Sequence, residues 1–392
     1  MEFWKVVFWV LLFLLFYTYL GYGLLIWLLN KLLRGKKNEK TGEEFLPDVT
    51  FMVAAWNEKN WIEAKIQNSL NFDYPPEKLH LVFVTDGSDD GTPDVINRFP
   101  FPENCQWQLF HHEARRGKNA AIERVMPFVK TPIVIFSDAN TQVNKKAIKK
   151  MVAHYRDPQV GAVAGEKRVV AGEKDTAASN EGIYWKYESF LKRLDSDFYS
   201  VVGAAGELFS IKTELFFPVP NDTIVEDFML TMGIAQKGYK VKYEPQAYAE
   251  EGKSASISEE LKRKVRIAAG GFQSIVRLSD LLNIFKYGRL SFQYVSHRVL
   301  RWTLAPLSLP LLFVINFFLA LQYGGLYNLL FGVQVLFYFF ALIGWGLEKR
   351  KLKFKAFFVP YYFCMMNLAM YKGFARFMKG NQSVLWEKAK RA

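Results

Sequence analysis

Two apolar runs in this chain each end on a carboxylate. The stretch IVIFSDAN (Ile133 to Asn140) closes on Asp138, with the amide of Asn140 two residues later. LVFVT (Leu81 to Thr85) runs into DGSDDGT and so ends on Asp86. A third acidic group, Glu226 with Asp227, opens the segment IVEDFMLTMGIAQKGYKV (Ile224 to Val241). Each has an ordinary explanation taken singly, as a loop or turn cap or as the acidic charge common in the first turn of a helix. Three such edges in one alternating region describe a carboxylate-rich cleft, suited to a hard divalent cation that holds a phosphate.

The elements that must bring these groups together alternate in type. VTFMVAA (Val49 to Ala55) reads as a strand, and NEKNWIEAKIQNSL (Asn57 to Leu70) as an amphipathic helix. LVFVT is the next strand, GKNAAIERVM (Gly117 to Met126) the next helix, and IVIFS a strand apolar enough to be buried on both faces. Such alternation over about 47–245 predicts a doubly wound α/β sheet, whose chemistry lies beyond the carboxyl ends of its strands. No G-x-G-x-x-G follows the first strand and no G-x-x-x-x-G-K-[ST] occurs, so the phosphate cradles of dinucleotide-binding and P-loop proteins are missing.

Of the 392 residues 51% are hydrophobic and 16% aromatic, with a net charge of +13, a balance suited to an anionic membrane face. Cys105 and Cys364 stand far apart in segments of different character, which argues against a disulfide. The five histidines show no metal spacing; His111 and His112 are adjacent and read as packing or surface residues. From Val6 to Leu29 no charge occurs, enough for one membrane crossing, and Lys31, Arg34, Lys36 and Lys37 follow at once. Trp302 to Tyr323 and Leu326 to Leu347 read as a helical hairpin returning to the basic EKRKLKFK (348–355). Phe357 to Met370 is shorter, holds Pro360, and is expected to be re-entrant or interfacial. These features place a multi-pass protein in the cell (inner) membrane with its middle domain cytoplasmic. The expected parts are an N-terminal transmembrane helix (1–30), a basic linker (31–46) and the cytoplasmic domain (47–255). Amphipathic interfacial helices (256–301), a C-terminal transmembrane region (302–375) and a basic tail (376–392) complete the chain. The positive charge gathers beside the apolar segments rather than in an aromatic-lined groove, so lipid and not nucleic acid is the expected partner.

The motifs AAWNE, DGSDDGT, RRGKNAA, SDAN, VED and KRKVRIAAGG occur in an order and at a spacing that resemble the inverting family-2 glycosyltransferases. The likeness is to their membrane-embedded branch, which includes cellulose, hyaluronan and poly-N-acetylglucosamine synthases, and covers about 49–271. The resemblance implies the A-type (GT-A-like) nucleotide-sugar fold, a doubly wound mixed sheet inserted between the N-terminal and C-terminal transmembrane helices. It implies a uridine diphosphate sugar as donor, a saccharide or lipid-linked acceptor, and Mg²⁺ or Mn²⁺ as cofactor.

Carried over by position, Asp86 resembles the carboxylate that recognises uracil and ribose, with Ala54 and Glu58 along the nucleotide. Lys118 would approach the uracil or phosphates, a solvated charge being its competitor, and Asp90 would support the Asp86 loop or cap a helix. Asp138 resembles the first metal-binding aspartate of a D-x-D motif. Asn140 stands where the second is expected; it would act as a neutral ligand, through water, or on the donor sugar. Asp227 resembles the general base, and Glu226 the neighbour that orients its loop. Gly203, in GAAG (Gly203 to Gly206), would let an acceptor approach the backbone, or serve tight packing. The family's Q-x-x-R-W signature falls on Arg263 to Ile267, so that Arg266 matches its diphosphate-binding arginine while Arg263 and Ile267 depart from it. Trp302, in RVLRW, is the alternative acceptor-side aromatic or else an interfacial anchor. The function expected is metal-dependent, inverting transfer from a UDP-sugar to a growing β-linked polysaccharide, coupled or not to export. The alternatives are non-processive transfer of one sugar to a lipid or glycolipid, and a non-catalytic membrane scaffold.

Overall fold

Strand β1 (Val49–Ala55) is buried at every position and lies inside the parallel half of the sheet. Parallel neighbours flank it: β2 (Leu79–Asp86) on one side and β4 (Ile133–Asp138) on the other, with β3 (Gln106–His112) beyond β2. The register sets Ala54 opposite both Val84 and Asp138, which brings the carboxyl ends of all three strands level. The computed structural model describes residues 2–33, 44–170, 176–252, 257–350 and 354–380.

Beyond β4 the sheet changes direction. β7 (Leu208–Lys212) runs antiparallel to both β4 and β6 (Val160–Val170), and β8 (Lys240–Gly252) runs parallel to β6. The short β5 (Thr141–Val143) closes the order β3-β2-β1-β4-β7-β6-β8-β5. The sheet is therefore mixed, as expected. IVIFS is buried as expected, and its strand β4 has a parallel neighbour on one side only, because β4 borders the antiparallel half. Apolar residues cover both faces: Met52, Val84 and Phe136 with the helix Glu226–Gln236 on one, Phe51, Phe83 and Ile135 with the helix Lys59–Leu70 on the other.

Among the described residues three helices are long and apolar enough to cross a membrane: Glu2–Leu33, Leu304–Tyr323 and Gly325–Lys349. Phe8 of the first packs against Leu312, Ile315 and Leu319 of the second. The segment expected to be re-entrant or interfacial is one unbroken helix, Lys355–Met378, that runs through Pro360 and past Met370. It lies along the helix Ile257–Arg277, where a Cβ on Gly373 would come within 2.5 Å of the Ala268 Cβ, and Phe272 meets Phe374 at 5.1 Å. Pro360 sits within the first two turns, where it removes a single backbone hydrogen bond. The basic linker residues Arg34, Lys36 and Lys37, positions 351–353, and the tail residues Lys388, Lys390 and Arg391 lie outside the described residues.

Candidate active site

Asp86 is fixed by backbone donors. Its Oδ2 accepts from the N–H groups of Arg116 at 2.8 Å and Gly117 at 2.6 Å, which draws the RRGK loop over the end of β2. Gly87 follows with φ +66, and a Cβ there would fall 2.5 Å from Arg115 Cβ, so this turn demands glycine. Ala54, Trp56, Asp86, Arg115, Gly117 and Lys118 line the cleft that results. The Arg115 guanidinium stacks 3.3 Å from the centre of the Trp56 ring, and the Trp56 indole N–H donates to the Gly87 carbonyl at 3.1 Å. Glu58 is buried just before the helix Lys59–Leu70, its N–H bonded to Thr92 Oγ1 at 2.9 Å. Asp90 accepts from the Thr92 N–H and from the Lys59 N–H, and so joins its own turn to the start of the helix Lys59–Leu70.

Lys118 joins the motifs. Its Nζ lies 2.9 Å from Asp138 Oδ1 and 3.0 Å from Glu226 Oε1, with side chains 10%, 9% and 19% exposed respectively. A solvated charge it is not. Burial works against this ammonium, yet the two carboxylates raise its pKa above the ordinary lysine value. Burial likewise holds Asp138 above the ordinary carboxylate range, although Lys118 pulls the other way. For Glu226 burial loses to Lys118, and the pKa falls.

Asp227 stands beside this triad. Its Oδ1 accepts from the Phe228 N–H at 2.8 Å. A Cβ built on Gly206 would lie 3.2 Å from Asp227 Oδ2 and 3.5 Å from Lys118 Nζ, so both groups converge on the same glycine. Burial, and next the charge of Glu226, push Asp227 up to about 7. The loop that starts its helix is pinned from the far side: Gln273 Oε1 accepts from the Ile224 N–H at 3.1 Å, and Arg277 donates to Thr223 Oγ1 at 2.7 Å. Arg266, on the same helix as Gln273, feels the charges of Glu226 and Asp227.

Gly203 has a packing reason, since φ is +85 and a Cβ would strike the Phe228 ring at 2.1 Å. Trp302 packs on Gly271 and lies 5.5 Å from the Phe228 ring centre, one residue from Asp227. Ile267 is 36% exposed in the place of the expected tryptophan. Sequence reasoning missed the charged set Lys167, Glu207 and Glu251, in which one lysine pairs with both glutamates behind Gly206. Lys167 lies in β6, Glu251 in β8 and Glu207 in the turn just before β7, so no local pattern marks the set.

Asp138 and Asn140 are the residues that would hold a cation. Among the described residues no cluster of three or more Asp, Glu, His or Cys could hold a metal without other ligands. Hard oxygen donors in this small number, one carboxylate and one amide, fit a cation that takes its remaining ligands from a diphosphate and water.

Residues 50–217 match the model of the family described as Glycosyl transferase family 2. The chain carries a family 2 glycosyltransferase domain. That domain contributes the cleft, Lys118 and Asp138, while Asp227 and Arg266 follow it. The poly-beta-1,6-N-acetyl-D-glucosamine synthase of Staphylococcus aureus (strain MSSA476) is 27% identical over 236 residues, 59% of this chain and 56% of that protein. The synthase of the same name from Staphylococcus epidermidis is 24% identical over 256 residues, covering 64% and 61%. The chain thus spans under two thirds of the length of these relatives. A mannosyltransferase of Pyrobaculum calidifontis, solved in complex with GDP-Man and Mn²⁺, shares the fold at TM-score 0.70 and 21% identity. That likeness covers 95% of this chain and 99% of the other.

Proposed function

We propose that the protein is a membrane-bound inverting glycosyltransferase that moves a sugar from a UDP-sugar to a growing β-linked saccharide at the cytoplasmic face. One observation carries the reading: a half-buried carboxylate whose pKa is pushed up to about 7, Asp227, stands beside a cleft-lining lysine that bridges Asp138 and Glu226. The cleft beneath Trp56 and Arg115 receives the nucleoside, and Lys118 and Arg266 turn their charge toward its diphosphate. Mg²⁺ or Mn²⁺ held by Asp138 and Asn140 would supply Lewis-acid stabilisation of the departing diphosphate. Asp227 takes the proton of the acceptor hydroxyl as that oxygen attacks the anomeric carbon opposite the breaking carbon–oxygen bond. The configuration inverts because a single displacement occurs.

A second reading, transfer of one sugar to a lipid-borne acceptor, draws support from Ile267. No indole stands there to carry a sliding saccharide chain, and the helix that bears it is packed along Lys355–Met378. The deciding experiment is turnover of UDP- and GDP-linked sugars by purified full-length protein, with and without chelator, and products sized by mass spectrometry. The expected result is chelator-sensitive turnover of a UDP-sugar into extended saccharides. Products one sugar longer than a lipid acceptor would select the second reading, and absence of any turnover would return the scaffold.

The topology is tested separately. In a variant without its two native cysteines, a cysteine at Gly324 in the hairpin tip is expected to react with an impermeant reagent on intact cells. A cysteine at Arg350 should react only after permeabilisation. The reverse pattern would overturn the orientation.

A further inference from the structure

Lys65 lies in the helix Lys59–Leu70 with no exposed surface, on the side of the sheet away from Lys118. Burying an ammonium is costly unless its protons are bonded. Here Nζ donates to Ser137 Oγ at 2.8 Å, to the Thr141 carbonyl at 3.0 Å and to Thr141 Oγ1 at 3.2 Å. These two residues bracket Asp138, Ala139 and Asn140. The bracket is closed further by Thr141 Oγ1, which donates to the Asp138 carbonyl at 2.9 Å, and Ser137 Oγ, which reaches the Glu207 carbonyl at 3.1 Å. Glu207 directly follows Gly206, the glycine beside Asp227. One ammonium therefore ties the Asp138–Asn140 turn, through Ser137, to the residue just before β7.

Packing alone gives no reason for a lysine at this position. Ile62 and Ile66, its buried neighbours on the same helix, are apolar. An aliphatic side chain of similar length would fill the site without desolvating a charge, an exchange that is often neutral or stabilising. The hydrogen-bond partners of Nζ are all neutral oxygens and the Phe51 ring is 5.3 Å away; burial holds the pKa down to about 7, and the charge of Asp138 works against that. What the lysine adds is a fixed geometry at 137–141.

We propose that Lys65 is a positioning residue: from beneath the sheet it holds the Asp138–Asn140 turn in the geometry that takes up the cation and diphosphate of the donor. It touches neither, and the assignment rests on the donor-site reading above. Groups that orient metal ligands from outside commonly alter metal affinity or activity on the order of 10–100-fold when removed.

The test compares full-length parent, Lys65→Met and Lys65→Gln, using Mn²⁺ with UDP as the probe in titration calorimetry. Lys65→Met should melt at or above the parent's temperature, yet bind Mn²⁺·UDP about 10–100-fold more weakly. Lys65→Gln, which keeps a donor without the charge, should fall between them. In turnover the loss should appear in the donor KM and leave the acceptor KM unchanged. Without ligand, amide exchange across 138–143 should quicken in Lys65→Met. Parental affinity in Lys65→Met overturns the inference, as does a lowered melting temperature with normal affinity per folded molecule. A parent that binds no UDP overturns the donor reading instead, and unchanged exchange at 138–143 then removes the positioning role as well.

Discussion

Asp227→Asn should lose sugar transfer by on the order of 10²–10⁴-fold, the usual contribution of a positioned base, while binding UDP and metal about as well as the parent. The amide preserves shape and can still accept the Phe228 N–H through its oxygen, but it cannot take a proton. The oxygen that matters is Oδ2, because Oδ1 is engaged by the backbone and Oδ2 faces the space above Gly206. The pH dependence follows from the raised pKa. With Asp227 at about 7, the base is protonated below that pH, so kcat/KM should rise by about tenfold per pH unit up to 7 and level off above it. Were Glu226 the base, its lowered pKa would keep it ionised throughout, and no such limb would appear near neutrality. Near-parental transfer by Asp227→Asn, or a flat profile from pH 5 to 8, removes Asp227 from the role. Glu226→Gln should cost much less if Glu226 serves chiefly to hold Lys118.

The features readable in the sequence were those written in consecutive residues. The apolar run 133–137 could be little other than a buried strand, and the charge that ends it lies where parallel strands place their chemistry. The first apolar helix and the hairpin are legible for the same reason, since length and lack of charge suffice. Strand order is not written that way. β7 is five residues long, and only its antiparallel pairing with β4 and β6 reveals that it divides the sheet. Lys65 is a second instance: a lysine in an amphipathic helix reads as solvent-facing, and only its contacts with Ser137 and Thr141 show otherwise. The difference between the two glycines of GAAG is likewise unwritten: a Cβ at Gly203 would meet the Phe228 ring, and one at Gly206 the Asp227 carboxylate.

Lys118→Met should be the most disruptive single change at the site, because it removes the ammonium that pairs with both Asp138 and Glu226. Removing one partner of a buried ionic set costs about 3–5 kcal/mol, and all three side chains here are less than a fifth exposed. Part of that cost is relieved if a carboxylate takes up a proton. The Lys118 charge also holds the Asp227 pKa down against burial and Glu226. Its loss should therefore move the rising limb of the pH profile above 7, in addition to lowering the plateau by on the order of 10²–10³-fold as a charge-stabilising group is lost. A divalent cation can partly replace the ammonium, so Mn²⁺ should raise the melting temperature of Lys118→Met more than that of the parent. Lys118→Arg keeps the charge and should retain most of the stability, though its larger fork will misplace the two carboxylates. The measurements are melting with and without Mn²⁺ and the pH dependence of transfer on one preparation. An unchanged melting temperature and an unshifted pH limb in Lys118→Met would mean that the lysine does not join the two carboxylates in solution, and the charge balance argued for Asp227 would fall with it.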